Sequence, residues 1–122
     1  MAGTSPDLRV RTKDFALRVM RLVDSLPSGR RSCDVIGKQL LRSATSVGAN
    51  YRAACRARSP AEFCARLGVV EEEADESGYW MELLMDGEVV KREVLGDLHS
   101  EAGEIVAMVV ASIKTARATR DK

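Results

Sequence analysis

The sequence predicts an all-α fold, an antiparallel up-down-up-down four-helix bundle. Three observations carry this. Apolar residues recur at helical spacing in four separate segments. Residues that start or stop helices sit at the junctions between those segments. Alanine, leucine, arginine and glutamate are abundant, aromatics make up 4%, and none of the three prolines interrupts a long periodic run. Short loops between consecutive helices make neighbours antiparallel. At 122 residues the chain is read as one domain over residues 1–122.

The first helix is predicted over about residues 7–26, with Phe15, Val19, Leu22 and Leu26 on one side. Ser5 or Asp7 suits its start, and Pro27-Ser28-Gly29 ends it. The second is predicted over about 32–57. At about 100° per residue, Ile36, Leu40, Ala44, Val47, Tyr51 and Ala54 fall on one side. The third, about 60–86, has the clearest start. Ser59-Pro60-Ala61-Glu62 reads as a capping box with proline at the first helical position. Phe63, Leu67, Val70, Ala74, Met81 and Leu84 form its core stripe, and Asp86-Gly87 stops it, glycine being suited to a left-handed residue there. The fourth, about 91–118, places Val94, Leu98, Ile105, Val109 and Ala116 in register.

The net charge of +1 hides an asymmetry. Residues 1–58 hold twelve Lys/Arg against four Asp, a net +8, and residues 59–122 hold seven against fourteen acids, a net −7. Either the halves neutralise each other, within or between subunits, or the basic half is kept for a polyanion. Cys33, Cys55 and Cys64 form no CxxC pair, so reduced, packed thiols are expected rather than a disulfide framework or a zinc site. The start shows no signal-peptide pattern, and the apolar run Ile105–Ile113 is far shorter than the roughly 20 residues of a membrane span. A cytoplasmic protein with no membrane partner is the expectation.

Helix two also carries Ser43, Ala44, Ser46, Gly48 and Ala49. Glycine inside a helix costs about 1 kcal/mol relative to alanine, so another backbone should pass close by. That backbone belongs either to a helix of the same chain or to a second subunit.

Four stretches make the chain recognisable: RTKDFALRVMRLVDSLP, QLLRSATSVGANYRAACRARS, EFCARLGVVEEEADESGYWMELL and SIKTA. Together they resemble the bacterial four-helix-bundle family also called the 23S ribosomal RNA intervening-sequence proteins. The resemblance spans nearly the whole chain, and the middle two stretches are the most specific. It implies a compact antiparallel bundle that assembles as a cyclic oligomer, most often a pentamer. The chain is more distantly similar to the accessory variability protein of diversity-generating retroelements, which binds nucleic acid and a reverse transcriptase.

The best candidate nucleic-acid site is a basic stripe. Lys38, Arg42, Arg52 and Arg56 lie nearly opposite the apolar side of helix two, and Arg58 extends them. Arginine suits phosphate because its planar fork donates two hydrogen bonds at once. The competing reading is a solvated face or one paired with carboxylates. The aromatic interleaving of single-strand binders that stack bases is missing, so readout of base identity is not expected.

On helix three, Glu73, Glu76 and Trp80 share a face with Val69 and Leu83. An aromatic and two aliphatics beside carboxylates read as an oligomer contact with a charged rim. Glu73 and Glu76 lie one turn apart and are natural partners for Arg42 or Arg52. Di-metal bundles use Glu-x-x-His motifs, whereas the sole histidine, His99, follows Gly96 three positions later. No metal and no cofactor are therefore expected. Ser46 and His99 have no nucleophile elbow, oxyanion loop or third member beside them, so no catalytic residue is assigned. The sequence reading is a non-enzymatic homo-oligomer that binds RNA or DNA weakly and without sequence preference, or serves as an accessory protein. The alternative is an interaction scaffold for a protein partner, with the stripe used in subunit contacts.

Overall fold

The computed structural model describes residues 6–120. They form four helices: α1 (Pro6–Asp24), α2 (Arg31–Ala54), α3 (Pro60–Asp86) and α4 (Arg92–Arg120). Packing runs around a square, α1 on α2, α2 on α3, α3 on α4 and α4 back on α1, and the diagonal pairs make no close approach among the described residues. The chain is thus the all-α, antiparallel four-helix bundle that the periodicity predicts.

The predicted stripes meet in one core. Phe15 and Val19, Leu40, Val47 and Tyr51, Phe63, Leu67, Ala74 and Met81, and Leu98, Ile105 and Val109 are all buried together. Fully burying a side chain of leucine or phenylalanine size contributes about 1.5–3 kcal/mol. Val94 is a correction: it is 65% exposed, and its neighbour Leu95 takes the core position at 0%. Leu95 lies three residues before Leu98, the helical repeat that places both on one side.

The helix ends differ from expectation in instructive ways. Ser5 lies outside the described residues, and Asp7 sits in the first turn of α1, where its charge complements the helix dipole. α1 ends at Asp24, two residues early, and the N–H groups of Ser25 and Leu26 donate to the carbonyls of Leu22 and Val23. α2 stops at Ala54, not Ala57, as Arg56 and Ala57 tighten into three-residue turns onto Ala53 and Ala54. Ser59 caps α3 by accepting from the Glu62 N–H at 3.1 Å, but the Glu62 carboxylate accepts from the Arg58 N–H, one residue before the position a reciprocal box would use.

At the end of α3 the left-handed residue is Glu88 (φ 59°), not Gly87 (φ −79°). The Val89 N–H donates to the Leu84 carbonyl and the Glu88 N–H to that of Met85, the pattern of a Schellman stop. Glycine at 87 answers crowding instead: a Cβ there would lie 2.8 Å from the Leu83 carbonyl oxygen.

Two polar contacts set how the helices meet. Between α2 and α3, the buried Ser43 and Ser77 hydroxyls are 2.9 Å apart, and Ser77 donates to the Glu73 carbonyl at 2.9 Å. Ser43 likewise reaches the Leu40 carbonyl at 3.2 Å, so two protons serve both carbonyls and the contact between the hydroxyls, and either serine can donate across it. Between α1 and α4, the half-buried Arg11 donates from Nε to Glu101 at 3.0 Å and from Nη2 at 2.5 Å, and reaches Glu104 at 3.0 Å. The hydrogen bond from Arg11, opposed by partial burial, holds the Glu101 carboxyl below its ordinary range. Glu101 in turn raises the guanidinium of Arg11.

A depressed carboxyl contributes stability above its unfolded pKa and loses it as pH falls through the lower folded value. Glu101→Gln should therefore cost about 1.5–3 kcal/mol at neutral pH, the range for hydrogen bonds to charged groups. The difference from the parent should be constant above the ordinary glutamate pKa of about 4.3 and shrink below it. Urea titrations across pH 2–7 check this, and a gap that does not depend on pH would contradict it.

Candidate nucleic-acid interface

Lys38, Arg42 and Arg52 are exposed on α2, while Arg56 and Arg58 are exposed in the connection that follows it. The stripe is therefore part helix and part turn. It is also not uniform. Arg42 donates from Nη1 to Glu73 at 3.1 Å and from Nη2 to Glu76, with its Nε 3.3 Å from the Gln39 side-chain oxygen. The Ser43–Ser77 contact explains the match, because it places Arg42 beside the turn of α3 that carries both carboxylates. Partial desolvation lowers the Arg42 pKa, but Glu73 and Glu76 outweigh it and the net shift is upward. The expected pairing between the acidic run and helix two is made here, within one chain.

Lys38, Arg52, Arg56 and Arg58 have no carboxylate partner among the described residues. Two of them meet cations that single-helix reasoning misses. Between α1 and α2 lies an open cavity of about 680 Å³. Arg9 and Lys13 of α1 line one side of it, and Arg52 and Arg56 line the other. Between these walls lie Thr12 and Ala16 on α1 with Thr45, Gly48, Ala49 and the buried Tyr51 on α2, mostly small side chains. A Cβ on Gly48 would touch Thr12 of α1 at 3.5 Å, so the small-residue cluster of α2 serves a crossing inside the chain. Arg9 and Lys13 carry a weak sequence signal, a spacing of four on a helix. Only the packing of α1 on α2 gives that spacing a meaning.

The proposed contact face on α3 is partly occupied from within. Glu73 and Glu76 hold Arg42, and Trp80 donates its indole N–H to Glu76 at 3.0 Å. Trp80 and Leu83 are half-buried, and Trp80 packs against the core. Val69 is 38% exposed, and Tyr79, which helical periodicity does not single out, is 52% exposed with its ring edge-on to Trp80.

Other chemistry-bearing residues have structural surroundings. His99 meets Glu82 through Nε2 at 3.0 Å, joining α4 to α3. The three cysteines are free thiols, Cys33 and Cys64 buried and Cys55 half-buried. Among the described residues, no group of three His, Cys, Asp or Glu side chains converges as metal ligands would. No helix there is long and apolar enough to cross a membrane.

The family profile described as 23S rRNA-intervening sequence protein matches residues 7–111. Among solved structures, the chain is similar to a protein of unknown function from the S23 ribosomal protein family of Bacteroides thetaiotaomicron. The two share 35% identity with a TM-score of 0.82, over 88% of this chain and 99% of that one. No curated protein matches.

Trp80 is the only tryptophan, so it reports on the ion-pair cluster directly. Glu76→Ala removes the acceptor of its indole and one of the two carboxylates on Arg42. Trp80 emission should move to longer wavelength, and Arg42→Ala should produce a smaller shift in the same direction. An emission spectrum unchanged in Glu76→Ala would contradict this geometry.

Proposed function

We propose that this chain, which belongs to the 23S rRNA-intervening sequence protein family, is a non-enzymatic homo-oligomer that binds RNA or DNA through backbone phosphate, without sequence preference. The observation that carries this is the division of the basic stripe. Arg42 is neutralised by Glu73 and Glu76, whereas Arg52 and Arg56 are exposed, lack carboxylate partners among the described residues and face two further cations. Unpaired arginines in a cluster attract polyanions, and phosphate is the group their fork geometry suits best.

Assembly belongs to the same proposal. α1 leaves Val10, Leu17 and Met20 exposed, and α3 leaves Val69 and Tyr79. We read these exposed apolar side chains as contacts with other chains. A second copy is the proposed occupant, in a closed ring with a pentamer favoured, and Val69, Trp80 and Leu83 at or near the contact. A ring repeats each basic cluster, and repetition raises the effective concentration of every further phosphate contact. The scaffold reading draws on the same apolar surface and uses the stripe in subunit contacts; it ranks second because Arg52 and Arg56 face two further cations and meet no carboxylate among the described residues.

Light scattering on the purified protein at micromolar concentration should report a single assembly several times the 13.3 kDa chain mass. A stable monomer would refute the ring. In a salt-titrated RNA- and DNA-binding measurement, Arg52→Ala with Arg56→Ala should weaken all sequences alike. The slope of log affinity against log salt should flatten by about one unit for each phosphate that the variant no longer neutralises. Arg42→Ala alone should leave affinity near the parent value. Unchanged affinity and slope in an Arg52, Arg56 double variant that still assembles would move the scaffold reading to first place.

A further inference from the structure

We infer that the cavity between α1 and α2 is a single-strand site, which takes one sugar–phosphate backbone between its two cationic walls and excludes a duplex. This rests on the proposed function and names the form of nucleic acid that its best-built site accepts. The first observation is shape. The cavity lies between two helices packed directly against each other, with α1 and α2 in contact across Gly48 and Thr12. Packed helices run about 8–10 Å axis to axis, so their groove is narrower than a double helix and admits one strand edge-on. A volume of about 680 Å³ falls within the range of about 300–1,000 Å³ of small-ligand pockets, a short stretch of strand rather than a duplex face.

The second observation is the placement of charge. Arg9 and Lys13 stand on one wall and Arg52 and Arg56 on the other, so a backbone lying along the groove meets cations on both sides. Arg9 and Lys13, four apart on α1, follow each other by about one turn, and Arg52 in the last turn of α2 is followed by Arg56 in the connection, which lets each wall touch successive phosphates. The third observation is the floor. Ala16, Gly48 and Ala49 leave room for a backbone to sink in and offer no side-chain hydrogen bond to a base. The Thr45 hydroxyl proton is already given to the Leu41 carbonyl at 2.8 Å and that of Thr12 to Leu8 at 2.7 Å. The groove therefore offers cations on both walls, with the hydroxyl protons of Thr45 and Thr12 already committed to backbone carbonyls.

The test compares a fluorescein-labelled single strand of about 12 nucleotides, within the range single-strand sites occupy, with its duplex, by anisotropy over a salt series. The parent should prefer the single strand. Arg9→Ala with Lys13→Ala, which touches neither arginine of the original stripe, should weaken strand binding on the order of tenfold. The salt slope should fall by about 1.4, the single-strand value of about 0.7 for each of two phosphates. Ala49→Glu places a carboxylate among the four cations at an exposed helical position that tolerates glutamate. It should lower strand affinity comparably, and clearly more than Ala49→Gln, which fills the floor to the same extent but adds no charge. Lys38→Ala with Arg58→Ala, outside the groove, should have less effect. Circular dichroism and light scattering confirm that each variant still folds and assembles. The inference is overturned, with the function intact, if duplex binds as well as strand, if Ala49→Glu leaves affinity unchanged, or if Lys38 and Arg58 matter as much as Arg9 and Lys13. A parent that binds neither nucleic acid at low salt overturns both.

Discussion

The close approach of α2 to α3 at Ser43 and Ser77 is the constraint on which the distribution of charge depends. Two hydroxyls in direct contact, 2.9 Å apart and fully buried, require small side chains on both helices at that level. A larger residue at either position would be overpacked, at a cost of about 1–3 kcal/mol. With the helices held that close, the first long side chain outside the seam on α2 is Arg42, and the carboxylates opposite are Glu73 and Glu76. Packing inside thus dictates pairing outside. The same approach gives Trp80 its hydrogen bond, because Glu76 serves Arg42 and the indole together.

The asymmetry between a basic front half and an acidic back half is resolved only in part. The two seams that join the halves are each crossed by an arginine that meets two glutamates, Arg42 from α2 to α3 and Arg11 from α1 to α4. Neither seam reaches the α1–α2 side of the bundle. Both helices there come from the basic half, so Arg9, Lys13, Arg52 and Arg56 face one another with no acidic helix to answer them. Such a cluster repels itself, and that cost is relieved by an anion between the walls. Topology accounts for the cationic groove: in a square of four helices, α1 and α2 are neighbours by virtue of a short loop.

This explains which features are legible in the sequence. Helical period and caps depend on residues near in sequence, so the four elements, the Ser59 cap and the core from Leu40 to Val109 can be read directly. Sequence and structure part where two neighbours compete. Val94 and Leu95 are adjacent and apolar, and a small change in helix phase decides which faces inward. Sequence preference gives Gly87 the left-handed conformation that Glu88 adopts, because a preference for glycine at a helix end does not reveal whether conformation or crowding demands it. The groove is not legible. A wheel reads one helix at a time, and the site exists only where two helices lie side by side. Arg52 and Arg56 are visible as half of it, while Arg9 and Lys13 look like ordinary surface charge.

α1 shows how fully a short helix in such a bundle is used. At about 100° per residue its circumference divides into four sectors. Leu8, Thr12, Phe15 and Val19 face the core. Arg9, Lys13 and Ala16 face the groove with α2. Val10 and Leu17 face outward, and Arg11 faces α4 and the glutamates there. No sector is idle, so a substitution on α1 acts on one property and spares the others only if it stays within its sector. Val10 and Leu17 adjoin the groove wall formed by Arg9 and Lys13. A neighbouring subunit seated on that outward sector would then border the groove. It would screen the groove from solvent on one side, and lower local dielectric strengthens the attraction between the cations and a bound phosphate. Assembly and polyanion binding would in that case reinforce each other through a single helix.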